Sequence, residues 1–173
     1  MQEKNTYTKE HLFKYNVTCM GGTFDHMHLG HRLLLSQAVI LTKGTLHCGV
    51  TSDVLLAKKA YKEFMEPLET RMRNVKDFLQ ALNPRLTVNV FELTDMAGVG
   101  GVLPEIEACV LTRETEKGGE ILNNIRRERG LKEAELVFVD MIMADIDNEG
   151  TVESEKFSNK SSSTSIRKYL AEH

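Results

Sequence analysis

Apolar positions along this chain fall into two rhythms that take turns: short dense or alternating runs, and longer stretches recurring every three to four residues. YNVTCMG (15–21) reads as a first strand and GHRLLLSQAVILTK (30–43) as a helix. TLHCGVTS (45–52) predicts a second strand, followed by a lysine-rich stretch to about Phe64. From Leu68 to Leu82 the residues Met72, Val75, Phe78, Leu79 and Leu82 keep helical spacing, and the Asn-Pro pair at 83–84 stops that helix. LTVNVFEL (86–93) alternates like a strand, and DMAGVGGVLP (95–104) reads as a loop. EACVLTR (107–113) predicts a short strand, GGEILNNIRRERG (118–130) a helix closed by glycine, and ELVFVDMI (135–142) another strand. The polar stretch 144–160 reads as an excursion before a last helix near Ser163 to Leu170.

Strands alternating with helices in this way predict a parallel sheet covered on both faces, a single Rossmann-like, doubly wound α/β domain. The domain is expected over 15–173, with 1–14 a polar leader or linker stub. In such sheets ligands bind beyond the carboxyl ends of the strands. Four features fall at those ends: GGTFDHMHLGH (21–31), the lysines after strand two, Arg113, and the serine cluster KSSSTS (160–165).

Composition narrows the class without naming a reaction. The 173 residues are 41% hydrophobic and 27% charged, an ordinary balance for a globular chain. A net charge of −3 argues against a broad nucleic-acid surface and leaves room for a local basic pocket. Cys19, Cys48 and Cys109 are far apart and form no C-x-x-C pair, so reduced core thiols are expected, with neither disulfides nor zinc. No apolar run approaches the 18 or so residues of a membrane span, and the opening residues lack the apolar centre of a signal peptide. A cytoplasmic, membrane-free protein is expected.

The glycine- and histidine-rich stretch is where chemistry concentrates. Gly21 and Gly22 allow a sharp turn and close backbone approach to a ligand, and Thr23 offers a hydroxyl and an N–H. His28 and His31 are three apart and share one face at a helix start, where unpaired N–H groups and the helix dipole seat a phosphate. A lone histidine there is commonly a cap, and a lone Gly-Gly a turn; the combination favours a site. His26, His28 and His31 as metal ligands match no established zinc spacing. The glycines at 98, 100 and 101 do not make a dinucleotide fingerprint, and no G-x-x-x-x-G-K-[ST] is present.

GGTFDHMHLGH resembles the G-T-F-D…H-x-G-H signature of the nucleotidyltransferase superfamily, which also includes the class I aminoacyl-tRNA synthetases. SSSTSIR (161–167), about 130 residues later, is similar to its partner signature I-S-S-T-x-x-R, with Ser161 where isoleucine is usual. Between them TSDVLLAKK, EPLETR and VLTRETEKGGEILNNIRRERGL resemble the phosphopantetheine adenylyltransferases of eukaryotic and archaeal type, and the similarity runs from about Val17 to Leu170. DMAGVGG (95–101) departs from the aspartate and glycine-proline turn of many relatives.

The resemblance implies transfer of the adenylyl group of ATP to 4′-phosphopantetheine, giving dephospho-coenzyme A and pyrophosphate. It implies His31 on the α-phosphate, His28 nearby on the triphosphate, and Gly21, Gly22, Thr23 and Phe24 around the nucleotide, with Thr23 also on the acceptor phosphate. Lys58 or Lys59 would bridge the reacting phosphates, Arg113 would bind phosphate, and Ser162, Ser163 and Thr164 would cradle the β- and γ-phosphates. Arg167 would join the nucleotide site or support its loop, and Mg²⁺ would arrive with ATP. Asp25 is expected to be structural, and Arg126, Arg127 and Arg129 to be an exposed helix face. The resemblance leaves the oligomeric state open between monomer and small homo-oligomer. Rival readings are a phospho-alcohol cytidylyltransferase, a nicotinamide mononucleotide adenylyltransferase, and a silent nucleotide-binding domain.

Overall fold

A computed structural model describes residues 12–139 and 162–173. Residues 1–11 of the expected leader, the excursion at 144–160, the end of the expected 135–142 strand and Ser161 lie outside the described residues. The elements are β1 (Tyr15–Gly22), α1 (Leu29–Leu41), β2 (Thr42–Thr51), α2 (Leu68–Leu82), β3 (Thr87–Leu93), β4 (Ala108–Leu111), α3 (Glu116–Glu128), β5 (Glu135–Phe138) and α4 (Ser163–Glu172). Short 3₁₀ turns occupy Lys62–Phe64, Gly98–Gly101 and Arg113–Thr115.

The five strands form one all-parallel sheet in the order β3-β2-β1-β4-β5. The chain builds outward from β1 to β3, then returns to place β4 on the other side of β1. Met20 pairs with Cys48 and Gly21 with Gly49 on one side of β1, and Cys19 with Cys109 on the other. Strand order therefore reverses between β1 and β4, and a crevice opens at their carboxyl ends.

The period-two alternation of side chains gives each face its own core. Leu46, Cys48 and Val50 of β2 and Ala108 and Val110 of β4 pack with Leu35 and Ala38 of α1 and Val75 and Leu79 of α2. On the opposite face Val17, Cys19, Cys109 and Leu111 pack with Leu122 of α3, Ile106 and Ala134. Each fully buried aliphatic side chain contributes about 1.5–3 kcal/mol of transfer free energy. This is the doubly wound arrangement expected.

Two boundaries shift for readable reasons. Helix α1 stops at Leu41 instead of Lys43 because Thr42 adopts extended backbone and its hydroxyl donates to Ala38 O at 2.6 Å. The Thr18 hydroxyl, 2.6 Å away, donates to Thr42 in turn, so two buried hydroxyls are satisfied at the junction. Helix α3 starts at Glu116, behind a 3₁₀ turn held by a reciprocal Thr112–Thr115 box, and ends before Gly130 at φ +69°, a left-handed position suited to glycine.

The expected exposed arginine face is corrected at one position. Arg127 and Arg129 are exposed, whereas Arg126 is fully buried. Its guanidinium donates to the carbonyls of Lys132 (2.7 Å), Gly100 (2.6 Å), Leu103 (2.8 Å), Pro104 (3.4 Å) and Ile106 (3.1 Å). These carbonyls belong to loops with no sheet partner, and one five-donor fork satisfies them together. Beside it Asn123 exchanges hydrogen bonds with the Ala134 backbone at 3.0 and 2.9 Å.

Candidate active site

Beyond β1 the backbone turns through two left-handed non-glycine positions, Phe24 at φ +50° and His26 at φ +45°. Each costs on the order of 1–3 kcal/mol and persists only where its surroundings over-determine it. The Phe24 ring is fully buried and lies against Gly22, where an added Cβ would come within 3.0 Å of it. The glycine requirement at Gly22 is thus set first by this ring. Asp25, fully buried, accepts the Glu66 N–H at 2.9 Å and the Arg167 guanidinium. The His26 N–H donates to Glu66 Oε2 at 2.7 Å, and His26 Nε2 lies 2.8 Å from Phe64 O and so carries the proton of that bond.

Helix α1 then begins with His28 as its N-cap, whose Nδ1 accepts the Gly30 N–H at 3.2 Å. His31 follows on the same face. The two rings stack with centroids 3.9 Å apart at 28°, and the Phe24 ring meets His31 edge-on at 5.4 Å. Burial lowers the pKa of both; for His31 burial, then the neighbouring His28, bring it to about 4 against a smaller upward pull from Asp25. Both imidazoles are therefore neutral N–H donors at pH 7. His31 Nδ1 is buried and has no hydrogen-bond partner among the described residues.

The second signature closes on the first. Ser162 caps α4 through a reciprocal pair with Ser165, accepting its N–H at 3.1 Å. The Ser163 hydroxyl donates to Asp25 O at 2.7 Å. Arg167 is buried and also donates to Ala60 O at 3.2 Å and Thr164 Oγ1 at 3.3 Å. These bonds hold Arg167 against the turn after β1 and the start of α4. They also fasten the loop that carries Lys58 and Lys59, which are both exposed, with Lys59 N–H on Leu56 O at 3.0 Å. Arg113 follows β4 and its guanidinium lies 4.3 Å above the Phe138 ring at the end of β5.

One residue that the sequence reading did not single out ties the site together. Arg71 of α2 is fully buried and donates to Thr23 O (3.0 Å), Thr51 O (2.8 Å), Glu66 O (3.0 Å) and Asp53 Oδ1 (2.5 Å). It thereby joins the turn after β1, the end of β2 and the approach to α2. Its signal was present in EPLETR: Arg71, Val75 and Leu79 are four apart, a charged member on an otherwise apolar stripe.

A cavity of about 320 Å³ opens at the carboxyl ends of the inner strands, lined by Gly21, Gly22 and Thr23 of the turn, Leu55, Leu93, Met96 and Leu111, Leu122 of α3, and Cys19 and Cys109. A shallower, more polar groove lies on the other side of the turn, among His26, Arg32, Glu66, Asp77, Phe78 and Ile166. Asp25, His26 and Glu66 place ligand-type atoms within 4.8 Å of one another. Each of these residues already bonds within the turn, Asp25 to Arg167 and Glu66, His26 to Phe64, and Glu66 to His26, which makes the group a structural knot and a poor fit for a resident metal. Among the described residues no helix is long and apolar enough to cross a membrane.

Comparison with known proteins agrees with this geometry. The cytidylyltransferase-like family model matches residues 19–169. A Saccharomyces cerevisiae protein named phosphopantetheine adenylyltransferase is 43% identical over 157 residues, 91% of this chain and 49% of that protein. The chain thus spans about half the length of this relative. A Methanothermobacter thermautotrophicus protein of the same name is 39% identical over 132 residues, 76% of this chain and 77% of its own length. A crystal structure of an Archaeoglobus fulgidus protein of unknown function matches with a TM-score of 0.63 at 27% identity, over 74% of this chain and 91% of that one. With both signature segments meeting at Asp25 and the match running through nearly all described residues, the chain belongs to the cytidylyltransferase-like family.

Proposed function

We propose that this chain transfers the adenylyl group of ATP to 4′-phosphopantetheine, releasing pyrophosphate and dephospho-coenzyme A. The observation that carries this reading is the seam at Asp25, where Ser163 and Arg167 bring the start of α4 against the turn that leads into His28 and His31. Two helix starts, each rich in unpaired N–H groups, then serve one polyphosphate. The names of the yeast and archaeal relatives support the acceptor.

The acceptor phosphate is already an anion at neutral pH, so no side chain has to remove its proton. The protein's task is to hold two anions in line and to stabilise charge on the α-phosphate and the departing pyrophosphate. His31, a neutral donor with an unpartnered buried Nδ1, offers an N–H to the α-phosphate, and His28 offers its free Nε2–H beside it. Thr23 holds the acceptor phosphate, with Lys58, Lys59 and Arg113 supplying positive charge from the loops after β2 and β4. Ser163 and Thr164 act through the N–H groups of the first turn of α4, with Ser162 as the cap that sets that turn, since the Ser162 and Ser163 hydroxyls and the Ser162 N–H are already engaged. Mg²⁺ would accompany ATP and would offset charge on the triphosphate.

The apolar cleft beside Thr23 favours the pantetheine arm over a second nucleotide, because such a cleft suits a long, weakly polar chain. Incubation with ATP or CTP and each candidate acceptor, followed by pyrophosphate release, tests the reading. Turnover with ATP and 4′-phosphopantetheine is expected, and turnover with CTP alone would overturn it.

A further inference from the structure

The cleft contains two thiols that adenylyl transfer does not use. Cys19 of β1 and Cys109 of β4 are register partners on neighbouring strands, and both line the cavity. Cys48, equally buried, packs into the closed core on the other face of the sheet. Cys19 lies three residues before Gly22, about 10 Å down the strand from the turn at roughly 3.3 Å per residue. An extended pantetheine arm spans roughly 16 Å from phosphorus to sulfur, enough to reach that depth with room to cross toward α3. The loop wall closes over the same spot: a Cβ on Gly100 would come within 3.0 Å of Cys19 Sγ and 2.6 Å of Leu122 Cδ1.

We propose that Cys19 and Cys109 form a seat for the thiol end of the acceptor, so that the cleft selects an arm terminating in sulfur. This rests on the pantetheine reading above. Thiols are soft, polarizable and weakly hydrogen-bonding, so paired protein thiols match a third thiol in size and polarity. A hydroxyl or ammonium brought to the same floor gives up water for partners too weak to replace it. The hydrogen-bonded Cys109 thiol, and then burial, push the Cys19 thiol well up, which keeps it protonated and makes it a contact surface.

The test uses the mixed disulfide of 4′-phosphopantetheine with 2-thiopyridine on the full chain. A seated cysteine attacks the pantetheine sulfur, the pantetheine–thiopyridine S–S bond breaks, a protein–pantetheine disulfide forms, and the proton lost by the cysteine ends on the ring nitrogen of the departing pyridine-2-thione. Expected is one phosphopantetheine per chain on Cys19 or Cys109, gained at least about tenfold faster than on Cys48 through proximity. The des-thio acceptor, with a methyl group in place of the thiol, should slow it by competition. Labelling of Cys48 at an equal rate, or no slowing by the des-thio acceptor, would each overturn the seat, and where the protonated thiols do not label in the native protein the KM comparison below decides. In Cys19→Ala, the KM preference for thiol over des-thio acceptor should shrink toward unity, and an undiminished preference would also overturn it. Pyrophosphate release by the same preparation separates the two readings. Turnover with an undiminished thiol preference in Cys19→Ala removes the seat alone, and competed labelling without turnover removes the reaction alone.

Discussion

Two imidazoles stacked at 3.9 Å in a half-buried setting cannot both hold a proton cheaply, and that fixes how His28 and His31 act. Without nucleotide they are neutral. They meet a triphosphate as uncharged N–H donors, so ATP binding near pH 7 should draw few protons onto them. Titration calorimetry in buffers of different ionisation enthalpy measures that uptake, and a full proton taken up by the parent and lost in His31→Asn would contradict neutral donors. The same shift touches stability. His31 has a lower pKa folded (about 4) than unfolded (about 6.5), so the unfolded state binds the extra proton between those values. Its contribution is therefore present above about pH 6.5 and lost as pH falls through 4, on the order of 3 kcal/mol. Urea unfolding at pH 7 and 4.5 should show a larger loss in the parent than in His31→Asn. In turnover, His31→Ala should fall by several orders of magnitude while ATP affinity changes little. These histidines were legible because their spacing is local; the Asp25–Arg167 pair, 142 residues apart, was not.

Among the elements, α2 was readable because Met72, Val75, Phe78, Leu79 and Leu82 keep helical spacing and Asn-Pro at 83–84 halts it. The overrun of α1 came from Thr42, whose hydroxyl turns a helical pattern into a strand start only once Ala38 O and Thr18 are beside it. What no periodicity announced is that α2 and α4 each send one arginine to hold the site's loops. Arg71→Ala leaves the Thr23 and Thr51 carbonyls without this donor and frees Asp53, so kcat/KM is expected to drop by about two orders of magnitude, with partial recovery in Arg71→Lys. Arg167→Ala removes the donor from buried Asp25, and the amides of α4 should exchange at least about tenfold faster as the helix loosens from the turn.

At the scale of the whole molecule, two cores on opposite faces share one sheet, and Arg126 gathers the loops beneath α3. Arg126→Ala strands several buried carbonyls, each costing about 1–3 kcal/mol, and thermal unfolding should shift down by well over 5 °C. The alternation of elements disclosed the fold class, but burial of this guanidinium was hidden, since R-R-E-R on a polar helix reads as solvated. Strand order was equally hidden from local pattern. It places β4 against β1, so that Thr18 must find Ala108 across the whole excursion through β2 and β3. Such distant pairing is slow to form, and the polyphosphate seat proposed above draws on the loops after both strands. Nucleotide should then prolong the lifetime of the native protein in stopped-flow unfolding and leave the refolding rate as it is, because nothing exists for ATP to grip until the last crossing has been made.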